Sequence, residues 1–127
     1  MTLLEKTEDF VQNLFKDKLS EAFLYHNFNH TLSVVNSVKL IIKELKLSSE
    51  ESEQLLLAAW FHDTGYVEGY EDHENKSIKI AVDFLHTKGK SEEFIALVSS
   101  LILATAKENK SDLYFASDLI TFVVRNN

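Results

Sequence analysis

The chain has 127 residues, 13 basic and 20 acidic, for a formal charge of −7, and it contains no cysteine, no proline and three glycines. Average usage would supply roughly six prolines and nine glycines in such a length. The shortage excludes turn-rich β-sandwiches and barrels, and the missing cysteines exclude disulfide scaffolds and thiolate metal sites.

One mostly helical domain, residues 1–127, is the expectation that remains, since a chain of this size buries about two-thirds of its unfolded surface. The acidic balance, with Arg125 the only arginine, argues against a nucleic-acid partner, whose phosphates need clustered basic groups. Charged residues follow within the first six positions, unlike a signal peptide. The longest weakly polar run, residues 94–106, is too short for a bilayer. A cytoplasmic location without a membrane partner is therefore expected.

In chain order, Leu4, Val11, Leu14, Phe15 and Leu19 repeat at helical spacing and predict a first amphipathic helix. Residues 25–30 form a polar and aromatic stretch, Tyr-His-Asn-Phe-Asn-His. A second helix follows it, with Val34, Val38, Ile41 and Leu45 in one stripe, Val35 and Ile42 beside them, and an end near Leu47. Ser48 and Glu51 have capping-box spacing and open a third helix, whose dense run from Leu55 to Phe61 is apolar on nearly every side and so expected at the centre. That helix ends in His62-Asp63-Thr64-Gly65. Gly65 and Gly69 lie in the next loop, where they suggest mobility.

A fourth helix from about Glu74 presents Ile78, Ala81, Phe84 and Leu85 and closes at Lys88-Gly89. Ser91 caps a fifth, with Phe94, Leu97, Val98, Leu101 and Ile102 inward. Residues 119–124 suit a helix or a short strand and are read as a helix.

Five histidines carry the chemistry: His26, His30, His62, His73 and His86. Neutral imidazole is a versatile metal ligand and titrates near neutral pH. His26 and His30, four apart, share a face if their segment is helical; otherwise they are solvated turn residues. Asp63 follows the most apolar run at the unfavourable end of a helix dipole. A paired cation would relieve it, and the alternative is a solvated helix end. His73-Glu74 suits an ordinary helix N-terminus, and His86 reads as structural or surface. Trp60 and the phenylalanines read as core.

Taken together, His30 … His62-Asp63 … Asp118 resembles the H…HD…D signature of the HD-domain superfamily of metal-dependent phosphohydrolases. Three strings support it: Tyr25-His26-Asn27-x-x-His30-Thr31, residues 58–66 (AAWFHDTGY), and His73-Glu74-x-x-Ser77. The resemblance runs over residues 4–107 and is nearest to a small bacterial branch of HD hydrolases. It implies an all-α HD-like bundle of five to six helices. His30, His62, Asp63 and Asp118 would be metal ligands, with Asp63 also catalytic and bridging if two metals bind.

The Tyr-His-Asn string is similar to that of cyclic nucleotide phosphodiesterases, which makes His26 the general acid. His73 is the natural added contact to substrate or to a second metal. Two histidines and two carboxylates suit Mn²⁺, Fe²⁺, Ni²⁺, Zn²⁺ or Mg²⁺. The implied substrate is a phosphate mono- or diester of a nucleotide or another small metabolite.

The chain departs from the family where Asp-Ala-Asp-Leu is usual: here Ala116-Ser117-Asp118-Leu119 stands, with Asp112 a substitute candidate. It also ends soon afterwards, truncated relative to the family. These departures favour an alternative, a non-catalytic HD domain acting as a ligand-binding or dimerisation module. The apolar segment at 119–124 would then join two copies into a homo-oligomer.

Overall fold

A computed structural model describes residues 1–69 and 71–104, without the side chains of residues 21–23, 25 and 26. Among the described residues there are five α-helices and no strand: α1 (Leu3–Lys18), α2 (Glu21–Leu45), α3 (Ser49–Phe61), α4 (His73–Thr87) and α5 (Glu92–Ala104). A 3-10 turn, Thr64–Glu68, joins α3 to α4. The fold is the all-α helical bundle expected. Residues 105–127 lie outside the described residues, and with them Asp112, Ala116, Asp118 and the 119–124 segment.

Local signals account for most helix starts. Thr2 and Glu5 form a capping box before α1, each side chain bonding the other's backbone N–H at 3.1 and 3.0 Å. Ser48 and Glu51 repeat it before α3. The Ser91 hydroxyl accepts the Phe94 N–H at 3.2 Å and starts α5. Each satisfies donors that helix geometry leaves without intrahelical partners. At the far end of α4, Gly89 takes a φ of 72°, the left-handed conformation that favours glycine, and the chain turns there.

Helix α3 is the axis of the bundle. It packs against each of α1, α2, α4 and α5, and every residue from Gln54 to Phe61 is buried. Apolarity on all sides is therefore what its position demands, and each fully buried Leu contributes about 1.5–3 kcal/mol. Phe10, Phe61 and Phe84 bring α1, α3 and α4 together, with ring centroids 4.7–6.1 Å apart. Trp60 is 3% exposed and faces Phe28 of α2. The reading of Trp60 as core holds.

The second helix differs from expectation at its start and ends close to where expected. It begins at Glu21 rather than after the aromatic stretch, so residues 25–30 are helical and not a turn. No proline or glycine interrupts residues 21–45, and once the Val34, Val35 and Val38 face is buried against α3 the helix propagates through the polar stretch at little cost. Its last stripe residue, Leu45, is 49% exposed, and Lys46 closes the helix in a left-handed cap.

Candidate metal centre

The extended α2 places His30 opposite the end of α3. Phe28 meets Trp60 with ring centroids 6.2 Å apart, and two residues further along both helices His30 meets His62 at 5.6 Å. His62 caps α3 and Asp63 is the next residue, both 8% exposed. His30 Nε2 lies 3.2 Å and His62 Nε2 3.0 Å from one oxygen of Asp63, Oδ2. The His30 side chain is 39% exposed against 7% for His62, so the cluster opens to solvent on the α2 side.

The tautomer of His62 follows from its other nitrogen. Nδ1 sits 2.6 Å from the Ala59 carbonyl oxygen, which can only accept, so Nδ1 carries a proton. When the ring is neutral, Nε2 therefore turns a lone pair on Asp63 Oδ2. A cation shared by the two converts this repulsion into two bonds. Metal-bound histidines commonly donate their second ring N–H to a backbone carbonyl, which fixes the ring and raises its basicity. The separations of 3.0 and 3.2 Å would let one ion reach Oδ2 and either Nε2 atom.

In the metal-free site a charged His62 takes the place of that cation. Burial on its own pushes the Asp63 carboxyl up, but the charge of His62 and hydrogen bonds from His30 and His62 more than offset it. The group ends well below the usual carboxylate range and stays ionised. The helix-end aspartate is thus neither solvated nor incidental. One ligand atom from each of His30, His62 and Asp63 falls within 4.8 Å of the others, a cluster capable of coordinating a divalent metal ion.

The second carboxylate oxygen faces α4. His73, the first residue of that helix, brings Nε2 to 3.9 Å from Asp63 Oδ1 and Nδ1 to 3.5 Å from Glu74 Oε1. Its ring stacks on Tyr66, centroids 4.2 Å apart and planes 12° from parallel. His73 is thus more than a helix terminus, although it stands outside the three-residue cluster. His26 lies on α2, four residues ahead of His30. His86 is exposed and pairs with Glu92 at 2.8 Å, a surface residue.

The first residues of the glycine-containing loop after Asp63 are packed into the fold. Thr64 and Gly65 are buried. The Gly65 N–H donates to Ser77 Oγ at 2.8 Å, while that hydroxyl donates to the His62 carbonyl oxygen at 3.0 Å. A Cβ at Gly65 would collide with the His73 carbonyl oxygen and lie 2.8 Å from both Ser77 N and Oγ. Glycine is needed here for close approach of α4. Composition singles out Gly65 but not this reason for it, and the string that contains Ser77 does not show what the hydroxyl does.

An all-α bundle with a His-His-Asp cluster at the end of its central helix defines a metal-site class of helical protein. A family profile described as HD domain matches residues 27–114, more than half of the chain and inclusive of His30, His62 and Asp63. The chain belongs to the HD-domain family. No curated protein and no solved structure matches it. Family and cluster together support a metal-dependent phosphohydrolase centre. No helix among the described residues is long and apolar enough to cross a membrane.

Proposed function

We propose that the chain is one cytoplasmic HD domain that hydrolyses a phosphate mono- or diester of a nucleotide or another small metabolite. The observation that carries this reading is the pair of imidazole nitrogens at 3.0 and 3.2 Å on one buried carboxylate oxygen, with the His62 ring locked from behind by the Ala59 carbonyl. These three residues hold the ion, and Asp118 adds a carboxylate to the ligand set. A divalent cation at such a site supplies Lewis acidity, acidifying a water and neutralising phosphoryl charge.

The remaining work falls to side chains. His26, one helical turn from His30, donates a proton to the departing ester oxygen, a task typically worth about 10²–10⁴-fold in rate. Asp63 fixes both histidines through Oδ2 and turns Oδ1 toward His73. His73, oriented by Glu74 and the Tyr66 ring, contacts the substrate phosphate or a second ion. The net charge of −7 does not repel an anionic substrate, because a bound cation dominates the local field.

The test is metal analysis of the purified protein, then a phosphate-release screen over nucleotides and simple phosphate esters with Mn²⁺, Ni²⁺ and Mg²⁺. Metal-dependent release that is lost in His26→Ala with metal retained supports both the reaction and the acid. Metal and ligand binding without release supports instead a non-catalytic HD domain, the reading that Ala116 favours. Absence of metal affinity refutes the proposal.

A further inference from the structure

Asp63 is gripped at two levels by one helix. His73 and Ser77 stand four residues apart on α4, hence on the same face. His73 approaches the Asp63 side chain, at 3.9 Å from Oδ1. Ser77 engages the main chain on both sides of it, through the His62 carbonyl at 3.0 Å and the Gly65 N–H at 2.8 Å.

Both groups need such a partner. The His62 carbonyl closes α3, where helix geometry provides no intrahelical N–H donor for it to accept. The Gly65 N–H lies in a buried segment closed to solvent. Asp63 itself has φ −112° and ψ 6°, in neither the helical nor the extended well. Two peptide groups that flank it are therefore fixed by a single hydroxyl that is wholly buried. We propose that Ser77 is a positioning residue for the metal centre: its hydroxyl sets the backbone of residues 62–65 and thereby aims the Asp63 carboxylate at His30 and His62.

The inference rests on the metal-site reading above and deepens it. Second-layer contacts of this kind change metal affinity by about 10–100-fold when removed. The distances explain how: a relaxed 62–65 backbone moves Oδ2 off the point where both Nε2 atoms converge, whereas the ligands themselves stay in the chain.

The experiment compares Ser77→Ala with Val98→Ala, a fully buried core position on α5. Both variants lose thermal stability, so stability alone does not discriminate. Calorimetric titration with Mn²⁺ is expected to show about 10–100-fold weaker binding for Ser77→Ala and unchanged binding for Val98→Ala. Equal affinity in Ser77→Ala and wild type overturns the proposal, as does an equal loss in both variants. If Ser77→Ala does not fold, Ser77→Cys, nearly isosteric and a weaker donor, is read in the same way.

A second readout needs no metal. In the metal-free protein, the imidazole NMR signals of His30 and His62 shift in Ser77→Ala and not in Val98→Ala. Unmoved signals refute the positioning role. A wild type that binds no Mn²⁺ refutes the metal-site reading, and the NMR comparison still decides for or against Ser77.

Discussion

His62 donates its Nδ1 proton to the Ala59 carbonyl oxygen at 2.6 Å, one turn back on the same helix, and this contact turns its Nε2 onto Asp63. The terminal turn of α3 thus supplies half of the centre. The other half comes from α2, which reaches the same carboxylate oxygen through His30. Asp63 stays ionised between them, and several consequences can be measured.

The first concerns pH. Asp63 is held below the usual carboxylate range despite its burial, because His62 and His30 favour its charged form. A group with a lowered folded value contributes stability that is fully present above its unfolded value, about pH 4. That stability is lost as pH falls through the lower folded value. Melting curves of the metal-free protein below about pH 4 should therefore fall more steeply for wild type than for Asp63→Asn. Parallel curves would show that the carboxylate carries no such coupling.

Gly65→Ala drives a methyl group into the His73 carbonyl and Ser77. Overpacking of this kind costs about 1–3 kcal/mol, to be read as a lower midpoint in urea unfolding. Metal affinity should fall with it, since α4 can escape only by moving away from the 62–65 turn. Wild-type stability in Gly65→Ala would mean that α4 does not approach so closely.

The Ser48 cap lies at the opposite end of α3 and touches nothing in the centre. Ser48→Ala removes the side-chain acceptor for the Glu51 N–H at 3.1 Å and should cost about 1 kcal/mol. Metal affinity should be unchanged. Coupled losses would reveal that α3 transmits strain along its whole length.

His86 separates surface histidine from site histidine. Its exposed pair with Glu92 is worth about 0–1 kcal/mol, so His86→Ala should leave the melting temperature and the metal stoichiometry essentially as they are. A lower stoichiometry would place a ligand where the structure puts a surface residue.

Much of this was legible in the amino-acid order, for physical reasons. The third helix announced itself through its unbroken apolar run and capping box, and a helix apolar on every side has to be central. His62-Asp63 stood out because a carboxylate at a buried helix end is costly without a partner. Residues 25–30 misled because a polar, aromatic stretch has little helical signature of its own; the packing of Val34, Val35 and Val38 extends the helix through it. Gly65 and Gly69 hinted at mobility, whereas Gly65 serves close approach, a requirement set by α4 in three dimensions. Ser77 belongs to the His73-Glu74-x-x-Ser77 string, but its task is not legible there, since a serine inside a helix reveals nothing about a turn twelve residues earlier. Asp118 and the Leu119 segment lie outside the described residues, and the ligand role of Asp118 stands as proposed.

The central claim is that His30, His62 and Asp63 together hold a divalent cation. Calorimetric titration of Mn²⁺ into metal-stripped wild type and Asp63→Ala, each confirmed as helical by circular dichroism, tests it most directly. The account predicts saturable binding to wild type and none to the variant. Wild-type affinity in Asp63→Ala would contradict it.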